Sequence, residues 1–190
     1  KAMDIIHDGV SIQHSFTIPE GQTTRQVLER IYDDERLTGL ITPIPKEGSL
    51  LPETYFFTRG AKRNDLVLRM QQSQELAFAT LWSARSDNLP IKTLAEAIIL
   101  ASIVEKETGQ DGERGLVASV FINRLHADMK LQSDPTTLYG LMISGMPVKR
   151  LLRRHLGHDS LWNTYKYKGL PPTPITNPGK ASLAAVLNPA

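Results

Sequence analysis

The stretch "AIILASIVEKETG", residues 97–109, is apolar at seven of its first eight positions and then ends in two glutamates around a lysine. Thr93, followed by Glu96 three residues later, has the sequence pattern of a capping box, and Gly109 interrupts the helical pattern. The sequence therefore predicts a helix over residues 93–108. Because its first turns are apolar on every side, we expect this helix to lie at the centre of the core.

The two acids of this helix are predicted to face different surroundings. Glu105 and Glu107 are two positions apart, about 200° around a helix, so they point to nearly opposite sides. Glu107 continues the apolar stripe of Leu100 and Ile103, where partial burial and the helix dipole would favour the protonated form that a general acid needs. Alternatively, the helix simply emerges into water at residues 105–109. Periodicity alone favours this alternative, because ionisable side chains are seldom buried.

The composition permits a sizeable core and excludes several kinds of site. The chain has 190 residues, of which 41% are hydrophobic, enough for one domain or one domain plus a small module. The absence of cysteine excludes zinc–thiolate sites, iron–sulfur clusters, cysteine nucleophiles and disulfides. The net charge of +2 does not predict nucleic-acid binding, and the basic run "KRLLRRH", 149–155, is interpreted as a solvated helix face.

The rest of the chain predicts an α+β fold with two parts. Residues 14–32 are predicted to form a short strand, a turn and a helix, and "TYFF", 54–57, a second strand. Apolar periodicity predicts further helices over residues 63–85, 113–127 and 134–143. We therefore predict a small α+β module with its connecting segment over residues 1–60, followed by a mainly helical domain over residues 61–190.

Polar side chains accompany the central helix in three other segments. In the helix over 113–127, Asn123 and Arg124 fall on or beside a predicted apolar stripe of Leu116, Val117, Val120, Phe121 and Leu125. Asp134 before Pro135 is predicted first of all to cap the next helix. Further candidates for holding a polar ligand are Gln132, Ser133, Tyr139, Asn163 and Tyr165. Aromatic rings beside amides suit sugars, and they suit an ordinary turn with a packed tyrosine equally well.

Five motifs in order carry a resemblance to a known family: "LASIVEKET" (100–108), "VASVFINRL" (117–125), "LQSDPTTLYG" (131–140), "NTY" (163–165) and "GLPPTPITNPG" (169–179). Together they closely resemble the endolytic murein transglycosylases of the YceG-like family. "FTIPEGQTTRQVLERI" (16–31) also resembles the LysM-like module of that family. The resemblance implies a mainly helical catalytic domain after the small module.

The resemblance implies cleavage of the β-1,4 bond between N-acetylmuramic acid and N-acetylglucosamine without water, leaving a 1,6-anhydro end. Its catalytic acid corresponds to Glu107, the acid that faces the apolar stripe. The resemblance implies no metal and no cofactor. Residues in the matching motifs become candidates for substrate binding, namely Asn123, Gln132, Ser133, Asp134, Asn163 and Tyr165, and for support, namely Glu105 (bonded to Arg124), Arg124 and Tyr139.

The resemblance also implies a context for the chain. The family begins with a membrane-spanning anchor and ends in a strand-rich tail, so we expect both outside residues 1–190. We expect a location at the outer face of the bacterial inner membrane and, as partners, peptidoglycan glycan strands and peptidoglycan synthases. Thr173 stands where the family pattern has glycine. Three alternatives stay open: a hydrolytic muramidase, a non-catalytic glycan-binding module, and a pyridoxal-phosphate lyase using Lys106.

Overall fold

The computed structural model describes residues 12–110 and 112–190, and in this part of the chain two strands and six α-helices accompany one short 3₁₀ helix. In chain order these are β1 Gln13–Thr17, α1 Thr24–Asp33, β2 Thr54–Thr58, α2 Arg63–Ser83, α3 Leu94–Glu107, α4 Arg114–His126, α5 Asp134–Ile143, the 3₁₀ helix Arg153–Gly157, and α6 Lys180–Leu187. The mixture of a small sheet with helices confirms the α+β class.

The N-terminal part is an antiparallel strand pair covered by a helix. β1 and β2 pair from Gln13 opposite Thr58 to Thr17 opposite Thr54, and the alternation of a strand buries Phe16 on the face that meets α1. Helix α1 begins with a capping box and buries the stripe that its 3.6-residue period predicts: Val27, Leu28 and Ile31. The apolar faces of sheet and helix therefore cover each other and form a first core.

Helix α3 is the centre of the second core, as its apolar sequence predicts. Five of its apolar side chains are fully buried: Ala97, Leu100, Ala101, Ile103 and Val104. The predicted capping box is present, because the Thr93 hydroxyl accepts from the Glu96 backbone and the Glu96 carboxylate accepts from the Thr93 backbone. Helices α4, α5 and α6 all pack against α3. The last turn of α3 thus reaches the surface with helices on several sides.

The predicted apolar face of α4 is confirmed for Val117, Phe121 and Leu125, which pack in the second core, and is wrong for Leu116 and Val120. Leu116 is 63% exposed and Val120 is 49% exposed, whereas Ala118, Phe121 and Ile122 are buried. Arg114 shares the buried face, because its guanidinium reaches the buried Glu105 carboxylate and the more exposed Glu20 carboxylate. Helix α4 is therefore rotated, so that its small Ala118 and not Val120 meets the core.

Helix α2 belongs to both cores. Leu66, Val67 and Met70 in its first half pack with the strands and α1, whereas Phe78 in its second half packs with α3. The division of the chain near residue 60 stays a prediction. None of the helices in residues 12–110 and 112–190 combines the length and apolar character that crossing a bilayer requires.

The proline-containing loop before α6 joins the two parts. Asn177 is fully buried, and its side-chain oxygen accepts from the Leu50 backbone at 3.0 Å. Its amide nitrogen donates to the Gln22 carbonyl at 3.1 Å and to the Thr24 hydroxyl at 3.2 Å. One side chain therefore satisfies backbone groups of the N-terminal part from within the C-terminal part.

Candidate active site

The two glutamates of α3 point in opposite directions, as predicted. The side chain of Glu105 is only 4% exposed, and its carboxylate accepts from the Gly179 backbone at 2.9 Å and the Ser182 hydroxyl at 2.7 Å. Its charged partner is Arg114, at 3.8 Å, and not Arg124 as predicted. Arg124 faces the other way and donates to the Leu131 carbonyl. Glu105 therefore holds α6 against α3.

Glu107, the last residue of α3, faces a surface groove. Its Oε1 accepts a hydrogen bond from the Ser133 hydroxyl at 2.5 Å. Glu107 is exposed, as the alternative favoured by periodicity predicts, because the apolar stripe leaves the core at the end of the helix. The Glu107 side chain is thus accessible from the groove, and one of its carboxylate oxygens is held by a hydrogen bond.

The groove at Glu107 has a volume of about 270 Å³ and one apolar wall. The wall consists of Val117, Val120 and Phe121, on the face of α4 that the sequence pattern assigned to the core. Its polar lining consists of Glu107, Thr108, Glu113, Arg124 and Gln132. An apolar wall opposite polar groups suits a sugar, whose ring has apolar faces and hydroxyl edges.

The loop before α5 holds Ser133 and Gln132 at the groove. Ser133 is buried, its backbone N–H donates to the Thr164 hydroxyl at 3.0 Å, and its carbonyl accepts from the Thr136 hydroxyl at 2.7 Å. Gln132 has a φ of 54°, in the left-handed region that glutamine seldom adopts, and its N–H donates to the Thr164 carbonyl at 3.1 Å. Such strain recurs at functional sites.

Asp134 and Tyr165 form a pair beside this loop. The Tyr165 hydroxyl donates to Asp134 Oδ1 at 2.6 Å. Partial burial, followed by the hydrogen bond to Asp134 and the charges of Asp134 and Glu107, raises the pKa of Tyr165 to about 12. The predicted capping role of Asp134 is wrong, because Ser133 occupies the N-cap position and Asp134 is the first residue of α5. The Asp134 carboxylate is therefore engaged by Tyr165 beside the groove.

Two predicted substrate-binding residues lie away from the groove lining. Asn163 is fully buried, and its amide bonds the Thr137 hydroxyl and the carbonyls of Leu156 and His158. It therefore shapes the loop and does not line the groove. Asn123 is exposed on α4, next to the turn that lines the groove.

Tyr139, predicted as a supporting residue, lies on α5 in a different groove. Its hydroxyl is 3.4 Å from Glu47 Oε2, and its ring packs against Trp162 with 6.0 Å between ring centres. Burial, together with the neighbouring Glu47 charge, raises the pKa of Tyr139 to about 12. Tyr139 therefore connects α5 to the segment between α1 and β2, and it does not accompany Glu107.

Sequence reasoning missed three residues at the groove or behind it. Thr108 and Glu113 both line the groove, and the Thr108 hydroxyl donates to Glu113 at 3.0 Å. Thr164 holds the loop that carries Ser133 from behind. The position of Thr164 within "NTY" was the only sequence signal for it, whereas Glu113 had the pattern of an ordinary exposed helix start.

Comparisons with known proteins identify the family of this chain. The sequence model of the YceG-like family matches residues 1–190. The chain belongs to the YceG-like family. It is 34% identical over 145 residues to an endolytic murein transglycosylase of Bacillus subtilis (strain 168), covering 76% of this chain and 39% of that protein. It is 32% identical over 145 residues to an endolytic murein transglycosylase of Streptococcus pneumoniae serotype 2, covering 75% and 26%.

A solved structure supports the same family at the level of the fold. The crystal structure of a YceG-like protein from Listeria monocytogenes superposes with a TM-score of 0.75 and 28% sequence identity. The match covers 100% of this chain and 71% of that one. This YceG-like chain therefore spans less than half the length of the two murein transglycosylases and most of the solved relative.

Proposed function

We propose that this chain carries the catalytic groove of a lytic transglycosylase that cleaves peptidoglycan glycan strands. The observation that carries the proposal is that Glu107, alone of the two glutamates of α3, faces a groove and has one oxygen fixed by Ser133. The name shared by the B. subtilis and S. pneumoniae relatives, endolytic murein transglycosylase, supports the reaction and the substrate.

In the first step Glu107 acts as a general acid. With Ser133 on Oε1, the proton resides on Oε2 and passes to the oxygen between N-acetylmuramic acid and N-acetylglucosamine. The bond from the muramyl anomeric carbon to that oxygen breaks, and the oxygen leaves as a hydroxyl. A bound strand would cover Glu107 and exclude water from the groove.

In the second step the Glu107 carboxylate acts as a base. It takes the proton of the muramyl 6-hydroxyl while that oxygen bonds to the anomeric carbon, closing the 1,6-anhydro ring and restoring the acid. The acetamido oxygen of the substrate stabilises the cation between the steps. Because the nucleophile belongs to the substrate, one carboxylate is sufficient, whereas ordinary glycosidases need two.

The groove supports roles for the other predicted residues. We assign the apolar wall on α4 to a sugar face, and Arg124 and Gln132 to hydroxyl or acetamido groups at its edge. Asn123, Asp134 and Tyr165 flank the groove and would contact sugars further along the strand. Asn163 acts through the loop that it holds.

The test compares products and rates for wild type and Glu107→Gln. Wild type is expected to release fragments with anhydro ends, identified by mass, and kcat is expected to fall at least about 100-fold in the variant. Glu105→Gln serves as the comparison, because it should act through stability. Full activity of Glu107→Gln would overturn the assignment. Glycan binding without turnover by wild type would indicate a non-catalytic binding module.

A hydrolytic muramidase is a second candidate because Glu113 lines the same groove as Glu107. Glu113 would then activate water while Glu107 protonates the leaving oxygen. Reducing ends in the products, together with loss of activity in Glu113→Gln, would establish this alternative. A reducing end is about 18 Da heavier than an anhydro end because it contains one added water. Anhydro ends with an active Glu113→Gln variant would exclude it.

The same proposal includes a setting for the whole protein. We propose that it works at the outer face of the inner membrane, held there by an anchor outside residues 1–190, beside peptidoglycan synthases.

The LysM-like character of the N-terminal strand–helix–strand part is likewise a proposal. Glycan binding by the intact chain, lost when exposed residues of α1 are changed, would test it.

A further inference from the structure

A second and larger groove lies between the N-terminal part and α5. Its volume is about 610 Å³, within the range usual for ligand pockets. We call it the lysine groove. Its lining residues are Gly21, Thr23, Gln26, Lys106, Pro135, Leu138, Tyr139, Met142, Pro147, Val148, Lys149 and Ile175. The mechanism proposed for Glu107 uses none of them.

The charge of the lysine groove is entirely positive among the described residues that line it. Lys106 and Lys149 are its only charged side chains, and both are exposed. The Lys106 stem packs against Gly21, and its ammonium group donates to the Gly21 carbonyl at 3.3 Å. This end of the groove therefore attracts anions.

The remaining lining is suited to small apolar groups. Leu138 and Met142 on α5 face the groove together with Val148 from the loop that follows. Thr23 and Gln26 at the start of α1 also line the groove, and their side chains are engaged in the capping box of that helix. A ligand that carries carboxylates and short apolar side chains is therefore complementary to the two lysines and the apolar wall.

The lysine groove adjoins the groove at Glu107. Lys106 directly precedes Glu107 at the end of α3, and Pro135 directly follows Asp134 at the start of α5. A strand lying across Glu107 would therefore bring its substituents to Lys106 and Pro135. On a murein strand, the substituent of each muramyl residue is a short peptide with free carboxylates.

We infer that the lysine groove binds the acidic stem peptide carried by the muramyl residue of the substrate. Lys106 and Lys149 pair with peptide carboxylates, and the apolar wall on α5 receives its short side chains. The glycan itself explains this groove less well, because N-acetylglucosamine is neutral and the lactyl carboxyl of N-acetylmuramic acid is held in the amide bond to the peptide. On a strand that carries peptides, the carboxylates available to the two lysines therefore belong to the peptide. The inference rests on the proposed function, since the peptide arrives attached to the strand.

The first experiment compares strands with peptides and strands from which an amidase has removed them. The measured quantity is the ratio of kcat/KM for the two substrates. In the double variant Lys106→Gln/Lys149→Gln this ratio is expected to fall about tenfold relative to wild type. Lys92→Gln, an exposed lysine at the other end of α3, is the matched control and should leave the ratio unchanged. An unchanged ratio in the double variant would overturn the inference, as would an equal loss on both substrates.

The second experiment measures binding without cleavage, which separates this inference from the proposed reaction. Isolated stem peptide is titrated into Glu107→Gln, by calorimetry, with and without the two lysine substitutions. We expect weak binding that salt reduces and that the lysine substitutions abolish. No binding, or binding indifferent to both lysines, would overturn the inference. If wild type cleaves neither kind of strand but the peptide still binds at the lysines, the proposed function fails and this inference stands.

Discussion

At the scale of single residues, the hydrogen bond from Ser133 to Glu107 is the contact that the proposed mechanism depends on. Ser133→Ala removes the donor that fixes Oε1, and hydrogen bonds to charged groups contribute about 1.5–3 kcal/mol. We therefore expect kcat on glycan strands to fall about 10- to 100-fold, with KM nearly unchanged. Steady-state kinetics measure both, and Ser83→Ala on α2 is the control. A change confined to KM would contradict this role.

Glu105 is predicted to act on stability alone. Glu105→Gln leaves the Arg114 guanidinium with a neutral neighbour in place of a buried carboxylate, which should lower the free energy of unfolding by about 1–3 kcal/mol. Glu107→Gln, an identical change at an exposed position, should alter it by less than about 0.5 kcal/mol. Urea unfolding of the two variants measures both changes in the free energy of unfolding. Equal changes in the free energy of unfolding would contradict a structural role for Glu105 that Glu107 does not share.

Helix periodicity predicted that Glu105 and Glu107 face opposite ways, because the angle between positions on a helix follows from local geometry. The same reasoning failed for the surroundings of each acid. Arg114 and Ser182 reach Glu105 from two other helices, so the periodicity within α3 does not indicate them. The exposure of Glu107 depends on where α4 lies, which periodicity within α3 does not determine.

At the scale of elements, the capping box of α3 supports a helix that positions Glu107 at its far end. Thr93→Ala removes the N-cap oxygen and should cost about 1 kcal/mol, which lowers Tm by about 2–4 °C in a chain of this size. Thr80→Ala, in the exposed interior of α2, should be neutral or stabilising because alanine is the better helix former. Thermal unfolding followed by circular dichroism compares them. An undiminished Tm in Thr93→Ala would contradict the contribution of the cap.

Four helices, α2 to α5, were predicted to within two residues of their observed ends, because caps, proline and apolar periods are local signals, whereas α6 was not predicted. The rotation of α4 was not predicted. Two apolar faces compete on this helix, one with Val117 and Val120 and one with Ala118 and Ile122. The choice between them depends on Arg114 and on the groove, and neither is visible in the periodicity of α4.

At the scale of the whole molecule, Glu47 connects the two parts and should make stability depend on pH. Its carboxylate accepts from the Thr24 backbone at 2.7 Å and lies near Tyr139, and burial raises the pKa of Glu47 above its ordinary value of 4.5. In the folded chain Glu47 therefore keeps its proton over a range in which the unfolded chain has lost it. Stability should fall as the pH rises through that range.

The variant Glu47→Gln measures this dependence, because glutamine keeps an acceptor for Thr24 and has no titrating group. The difference in the free energy of unfolding between wild type and Glu47→Gln should shift against wild type as the pH rises above 4.5. Glu75→Gln, on the exposed side of α2, controls for the lost charge. A difference that is constant across pH would show that Glu47 does not titrate differently on folding.

The α+β class and the order of the motifs could be predicted from sequence, whereas the grooves could not. Each groove is formed by segments that are far apart along the chain: Glu107 meets Gln132 in one, and Thr23 meets Lys149 in the other. Only the packing of α4 and α5 around the end of α3 brings these segments together. The motifs indicated which residues matter, and the fold determined which of them share a surface.

The membership of α2 in both cores has a consequence for slow motions of the protein. The helix has 21 residues, so it extends about 31 Å and packs against both cores at once. An amide in its middle turns, between Met70 and Phe78, becomes open to solvent only when both units release the helix. Hydrogen–deuterium exchange there should therefore be slower than in α1 and should report the global opening of the chain.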